Sequence, residues 1–496
     1  MSVWLSPGDL AKTLPAETLP GATPIPTRVV SNGEYMPWAQ TAAQRRVEHE
    51  LDALAGAYGR RLGLDRRRFL RTACGMAAGF LAMNRVFGPF FSVSPAEASD
   101  PAAASEHAAA LQHQLVFDVQ THYVRDDFAW RGILDLGEYA KRWNPVLREE
   151  GVTMRRYQLR NYLKEIFLDS QTTLALVSSA PSDDPANTIL TSEEMARTRA
   201  LVNAVAGSRR LFSHGVLRPG RDGWLDELDA TAAQCRPDSW KGYTVGDPLA
   251  PSKYPWRMDD ETHVYPGWER IRKSGIRIVC VHKGLVPPDY EKTFPNWQFA
   301  KVDDVGKAAR DWPDITFVIY HSGLKPFLTS PDESLAEFER SSRIDWVSDL
   351  AEVPAKYGVT NVYAELGTSF ASSAVTHPRH CAAMLGILVK GMGAERVLWG
   401  TDSVWYGSPQ WQIEAFRRIE IPEDLQAKHG FAALGAADGP VKRAILGRNA
   451  VRLYGLDGAT ASMPEALAHD GIATARREYE AAGTERSNLA YGFVRA

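Results

Sequence analysis

Four segments of this 496-residue chain share one design. Each is an apolar run that ends in a residue able to bind a metal ion or move a proton. They are Val116-Phe117-Asp118-Val119-Gln120-Thr121-His122, Ile276-Arg277-Ile278-Val279-Cys280-Val281-His282, Ile315-Thr316-Phe317-Val318-Ile319-Tyr320-His321 and Val397-Leu398-Trp399-Gly400-Thr401-Asp402. Runs of this length and content are buried strands. Residues two apart on a strand face the same way, so Gln120 and His122 point into one space. A single histidine at a strand end constrains little, because such residues are commonly hydrogen-bonded core or rim groups. Four strands in the order Gln-x-His, His, His, Asp call for an architecture that brings their C-terminal ends together.

The segments between them supply that architecture. Residues 172–179 read as a second strand, 210–217 as a third carrying His214, and 239–245 as a fourth with Lys241 and Tyr243 on one face. Residues 359–366 form a seventh, ending at Glu365. Helices are expected over 192–206, 225–235, 267–274, 302–310, 379–392 and 441–454. Ser192 is the expected N-cap of the first, with Glu193 and Glu194 in its first turn. Residues 324–343 read as a polar insertion, and 124–168 as a long loop-and-helix region over the site. Strands alternating with helices predict a parallel (β/α)8 TIM barrel across residues 112–456. Such barrels carry their chemistry at the C-terminal mouth of the strands. Histidine nitrogen and carboxylate oxygen are the usual ligands of a catalytic zinc or a similar divalent ion.

With these residues in place, the chain resembles the amidohydrolase superfamily, in the branch related to aminocarboxymuconate-semialdehyde decarboxylase. The resemblance rests on Asp118-Val119-Gln120-Thr121-His122, on His282, on His321-Ser322-Gly323, and on Trp399-Gly400-Thr401-Asp402-Ser403. It implies a metal-dependent hydrolase, with decarboxylase (lyase) chemistry as the second choice. The substrate class implied is a small carboxylated or carbonyl compound. It also implies His122, His282 and Asp402 as ligands of one divalent ion, zinc first and manganese second, with Gln120 as a weaker fourth. His321 is the implied general acid/base, and Asp402 a second proton acceptor. Homodimers are usual in proteins of this resemblance. Gln120 departs from the pattern, which has His or Glu there; an amide offers an oxygen but no charge. That departure keeps a metal-free or non-catalytic barrel, acting as a binding subunit, as the alternative. Lys241 is a candidate for holding a substrate carboxylate. Tyr243, Tyr123, Trp405 and Tyr406 are candidates for lining the pocket.

The remainder frames the barrel. Residues 1–64 run from a Pro-rich arm into a helix, and 457–496 form a polar, Ala-rich tail. Between 65 and 98 lies Asp65-Arg66-Arg67-Arg68-Phe69-Leu70-Arg71, similar to a twin-arginine export motif, then a weakly apolar stretch and Ala96-Glu97-Ala98, similar to a cleavage site. Use of that segment implies a periplasmic enzyme that loses residues 1–98. The competing reading is a pair of helices packed on the barrel of a cytoplasmic one. Asn84 and Arg85 interrupt the apolar stretch and favour the second. A formal net charge of −3 gives no case for nucleic-acid binding. Four scattered cysteines form neither a disulfide framework nor a zinc knuckle. No stretch is long and apolar enough to predict a stable membrane span.

Overall fold

The computed structural model describes residues 23–27, 30–31, 41–128, 157–248, 250–285, 292, 295–325, 331–457, 463–482 and 493–494. Most of the Pro-rich arm and much of the expected loop region 124–168 lie outside them.

Eight parallel strands follow one another in sequence order around the sheet. They are β1 (Phe117–Thr121), β2 (Leu174–Val177), β3 (Leu211–Val216), β4 (Ser239–Tyr243), β5 (Ile278–His282), β6 (Thr316–Tyr320), β7 (Val362–Glu365) and β8 (Val397–Leu398). Backbone bonds from Val119 N to Trp399 O (3.0 Å) and from Asp402 N to Gln120 O (2.9 Å) bring the last strand back to the first. This is the expected (β/α)8 barrel. Alternate strand residues fill its interior, among them Phe117, Val119, Leu174, Leu176, Val318 and Tyr320, and Ala450, Val451 and Leu467 close the cluster. The pairing of β1 with β2 slips between Asp118 and Thr121. Such irregularities re-aim side chains beside active sites, and here Gln120 and His122 take over from Val119 at the mouth.

Local details differ from the sequence reading by small steps. The helix Ser192–Ala206 is capped by Thr191, not Ser192, because Thr191 and Glu194 form a reciprocal capping box. The polar insertion contains a helix, Pro331–Ser341, anchored by buried Phe338. The C-terminal tail contributes Gly471–Ala481, preceded by Asp470, which pairs with buried Arg210 at 2.6 Å.

Ahead of the barrel, α1 (Ala42–Arg61), α2 (Arg66–Leu70), α3 (Ala73–Phe87), α4 (Pro95–Ser99) and α5 (Pro101–Leu111) form a helical unit. The twin-arginine-like residues make up α2, capped by Asp65, whose carboxylate accepts from Arg68 N at 2.8 Å. The apolar stretch is α3, with Cys74, Ala77, Ala78, Phe80, Ala82 and Met83 all buried. No helix among the described residues is long and apolar enough to cross a membrane.

Candidate active site

The strand ends deliver the expected side chains to one buried cluster. The Gln120 amide nitrogen lies 3.0 Å from Asp402 Oδ1, 3.4 Å from His122 Nε2 and 3.3 Å from His321 Nε2. His122 Nε2 is itself 3.0 Å from Asp402 Oδ1. His282 joins through its ring, edge-on to His321 with centroids 4.7 Å apart. Tyr243 stacks on the other side of His282 at 4.3 Å. Lys241 is fully buried, with its ammonium 3.4 Å from the Tyr320 ring centre and 4.9 Å from that of Tyr243.

Backbone strain marks the same place. His321, Ser322 and Asp402 sit at positive φ, 60°, 53° and 57°, a region uncommon for non-glycine residues, which Arg236, Leu285, Ser342 and Trp346 also occupy. The chain turns at the ends of β6 and β8 and swings the His321 and Asp402 side chains towards the mouth. Gly367 and Gly400 make room for this. A Cβ on Gly367 would lie 2.6 Å from Gln120 Oε1 and 2.7 Å from His321 Nδ1, and one on Gly400 would run into Glu365.

Electrostatics assign the protonation states. Burial depresses His321 to about 3, against the opposing pull of Asp402, so the ring is neutral at working pH. Its Nδ1 accepts the backbone N–H of Thr368 at 3.1 Å, which places the ring proton on Nε2. Burial, with the charges of His321 and Lys241, also holds His282 well below its ordinary value. Burial pushes Asp402 up, but the hydrogen bond and charge of His122, with His321 and Thr368, outweigh it and leave the carboxylate ionised. Burial raises Glu365 well above the usual range, which favours its neutral acid form. Its Oε2 accepts from His321 N at 3.0 Å. Its Oε1 has no hydrogen-bond partner among the described residues.

Among the described residues, no group of three or more His, Cys, Asp or Glu side chains is arranged to hold a metal ion. The reason lies in Gln120, whose amide nitrogen stands among the ligand-type atoms. Donors bound at about 2.1 Å to one divalent ion lie about 3.0–3.4 Å from each other, the spacing found here for Gln120, His122 and Asp402. Gln120 Oε1 is meanwhile buried with no partner among the described residues. The Nε2–H of His321 also faces the amide nitrogen, donor against donor. Turning the amide over satisfies His321 and presents the oxygen to a cation. With the amide turned over, Asp402, His122 and the Gln120 oxygen are the groups that would hold one divalent ion.

Several supporting groups were not among the expected site residues. Thr368 donates to Asp402 Oδ2 and lies 2.8 Å from the Tyr406 hydroxyl. Asp118 accepts from the backbone N–H groups of Gln120 (3.1 Å) and Thr401 (3.0 Å) and from the Thr401 hydroxyl, tying β1 to the Asp402 segment. Burial lifts its carboxyl to about 7. The sequence signal for both was adjacency: Asp118 opens the first-strand motif, and Thr368 follows Glu365 and Gly367. Trp405 lies against His122 at 5.9 Å. Tyr123 instead turns to the helix Ser192–Ala206, its hydroxyl 2.6 Å from Thr198 Oγ1. His214 is a core residue, bonded to Ser178 (3.0 Å) and near the Tyr320 hydroxyl (3.3 Å). Lys283 points away from the mouth into a buried pair with Asp304 at 2.8 Å.

A family model described as Amidohydrolase matches residues 117–456, from the start of β1 to the segment after the last barrel helix. The chain belongs to the amidohydrolase family. No curated protein matches this amidohydrolase. Among solved structures it is similar to an uncharacterised TIM-barrel protein from Bordetella bronchiseptica, at 14% identity and a TM-score of 0.44 over 69% of this chain and 99% of that one. It is also similar to 5-carboxyvanillate decarboxylase from Sphingomonas paucimobilis, at 14% identity and a TM-score of 0.38 over 69% and 99%. A third is a putative 2-pyrone-4,6-dicarboxylic acid hydrolase from Pseudomonas putida, at 17% identity and a TM-score of 0.38 over 70% and 99%.

Proposed function

We propose that this amidohydrolase is a metal-dependent enzyme that hydrolyses a small carboxylated or carbonyl substrate, with decarboxylation of an aromatic or muconate-like acid as the second chemistry. The observation that carries the reading is the spacing of His122 Nε2, Asp402 Oδ1 and the Gln120 amide, 3.0–3.4 Å from one another in a buried site. His282 belongs to the same cluster and completes the proposed ligand set. A divalent ion held there, zinc or manganese, would supply Lewis-acid polarisation of a substrate oxygen and a lowered pKa for water.

The chain's own groups supply the rest. Asp402, ionised and held by Thr368, accepts a proton at its carboxylate. His321 presents its Nε2–H towards the cluster and stabilises negative charge developing on the substrate. Glu365, whose protonated form burial favours, is a second proton source. Lys241 supplies the positive charge that a substrate carboxylate would seek, and Tyr243 and Trp405 offer flat faces to an unsaturated ring. The product decides between the two chemistries: net addition of water supports hydrolysis, and release of CO₂ supports decarboxylation. If neither is formed by metal-loaded enzyme across carboxylated aromatic and lactone substrates, the reading fails.

One observation favours a second reading. Gln120 brings no charge, and as placed its amide nitrogen donates to Asp402. A barrel satisfied in this way could serve as a metal-free binding subunit. That reading requires His282→Ala and Asp402→Ala to leave both metal content and cellular phenotype unchanged.

A further inference from the structure

The twin-arginine-like segment and its apolar stretch are absorbed by neither the barrel nor its chemistry, yet they are built into the enzyme. Four features tie them down. Asn84, the residue that breaks the apolar stretch, exchanges two hydrogen bonds with the backbone of Phe91: Nδ2 to Phe91 O at 2.6 Å and Phe91 N to Oδ1 at 2.9 Å. Phe91 then pairs with Ile419 of the barrel, flanked by Ser92 N to Arg418 O and Glu420 N to Phe90 O, both 2.8 Å. Glu97, between the two alanines of the cleavage-like site, forms an ion pair with Arg418 in which the side chains are only 10% and 3% exposed. Ala98 is fully buried.

The barrel side of this seam is the helix Gln410–Arg418, and that helix holds the active-site turn. Gln412 Nε2 donates to Thr401 O at 3.0 Å, and Trp411 Nε1 donates to Tyr406 O at 3.0 Å. Tyr406 meets Thr368, which donates to Asp402. A path therefore runs from the Glu97–Arg418 ion pair along the backbone of one helix, and through Gln412 and Trp411, to the Asp402 turn.

We propose that α2–α5 remain on the mature enzyme, uncleaved at Ala96-Glu97-Ala98, and that Glu97 and Arg418 are positioning residues for the Asp402 turn. The inference does not depend on the metal or on the substrate. Cleavage after Ala98 would strip α3 from its packing, and it would cut the chain one residue past a carboxylate that neutralises a buried arginine. Arg418 would keep only Glu414 of the two carboxylates that share it, and loss of one partner from a buried ion pair is destabilising.

The test has two readouts. The first is the intact mass of the protein isolated from each compartment of its native host. The full-length mass is expected wherever the protein is found, and a mature chain beginning at Ser99 overturns the proposal. The second is hydrogen exchange by mass spectrometry on the full chain, wild type beside Glu97→Gln and Glu97→Asp. Glu97→Gln is expected to raise exchange at least severalfold in peptides covering 401–418, while those covering β2 and β3 stay as in wild type. Glu97→Asp, which keeps the charge, is expected to restore much of the protection. Faster exchange confined to residues 73–111, with 401–406 unchanged, overturns the positioning role. Should Glu97→Gln fail to fold, Arg418→Lys replaces it, with the same two outcomes.

Discussion

Two buried polar clusters lie about one helix apart and are built on opposite terms. At the seam, Arg418 is shared between Glu97 and Glu414, and Arg417 bonds to Gln114, Gln171 and Glu414. Each charge there has an opposite charge or a carbonyl beside it. At the mouth, Gln120 Oε1, His122 Nδ1 and Glu365 Oε1 have no hydrogen-bond partner among the described residues, and three backbone positions are strained. Buried polar atoms are costly to leave unmatched. The seam pairs its charges, although His107 Nε2 and Gln412 Oε1 lack a hydrogen-bond partner among the described residues, whereas the mouth leaves its unmatched atoms together in one cluster, where a bound group would meet them. The contrast is between a cluster that holds the fold and one that spends stability on function.

The largest expected effect comes from breaking the seam. Arg418→Met leaves Glu97 and Glu414 buried without their shared cation, and unfolding in urea is expected to show a loss of about 3–5 kcal/mol. A loss below about 1 kcal/mol would place the seam with ordinary surface pairs. At the mouth the effect should appear in function instead. Thr368→Val removes one hydrogen bond to Asp402 and is expected to lower metal affinity or activity roughly 10–100-fold, with little change in the urea midpoint. Smaller still is Glu365→Gln. If Glu365 is already neutral, replacing it with an isosteric amide should shift stability by less than about 1 kcal/mol, and a large drop would show that an ionised carboxylate was lost.

Acid sharpens the comparison. His380, buried in the helix Pro378–Met392, is depressed by burial to about 3. Between its ordinary value near 6.5 and about 3, the unfolded chain takes up a proton that the folded chain refuses, so stability falls as pH falls through that window. Glu414 at the seam behaves as a carboxylate: burial raises it, but Arg418 and Arg417 outweigh burial and hold it below its ordinary value. Its contribution is present above about 4.5 and is lost only below that. Denaturant midpoints of wild type and His380→Gln should therefore diverge below about 6.5, before the seam is touched, since the opposing gain from Asp118, raised to about 7, is common to both. The variant should lose less stability than wild type across that window, by one histidine's share, because His321, His282 and His214 titrate in the same direction, and the two curves should run parallel at lower pH.

Much of the barrel was legible because it is written locally. Continuous apolar runs ending in His282, His321 and Asp402 marked both the strands and the mouth, and a parallel barrel forces those ends together. The N-cap was misplaced by one residue, since Thr191 and Ser192 both qualify until Glu194 chooses between them. The role of Glu365 depends on Gly400, which lies beside it only after folding. Tyr123 shares its strand end with His122, yet adjacent residues point to opposite sides, and it found Thr198 rather than the pocket. The segment over 65–98 carries a short linear signal that matches an export motif. What opposes that signal is a set of contacts more than 300 residues away in sequence, such as Glu97 with Arg418, separated by 321. No local pattern contains them.

The most direct measurement is elemental analysis of the purified full-length protein, wild type beside Asp402→Ala, before and after incubation with Zn²⁺ or Mn²⁺. The account predicts about one divalent ion per chain in the wild type and its loss in the variant. No ion in either protein, even after incubation, would contradict it and mark Gln120 as the sign of a site that works without metal.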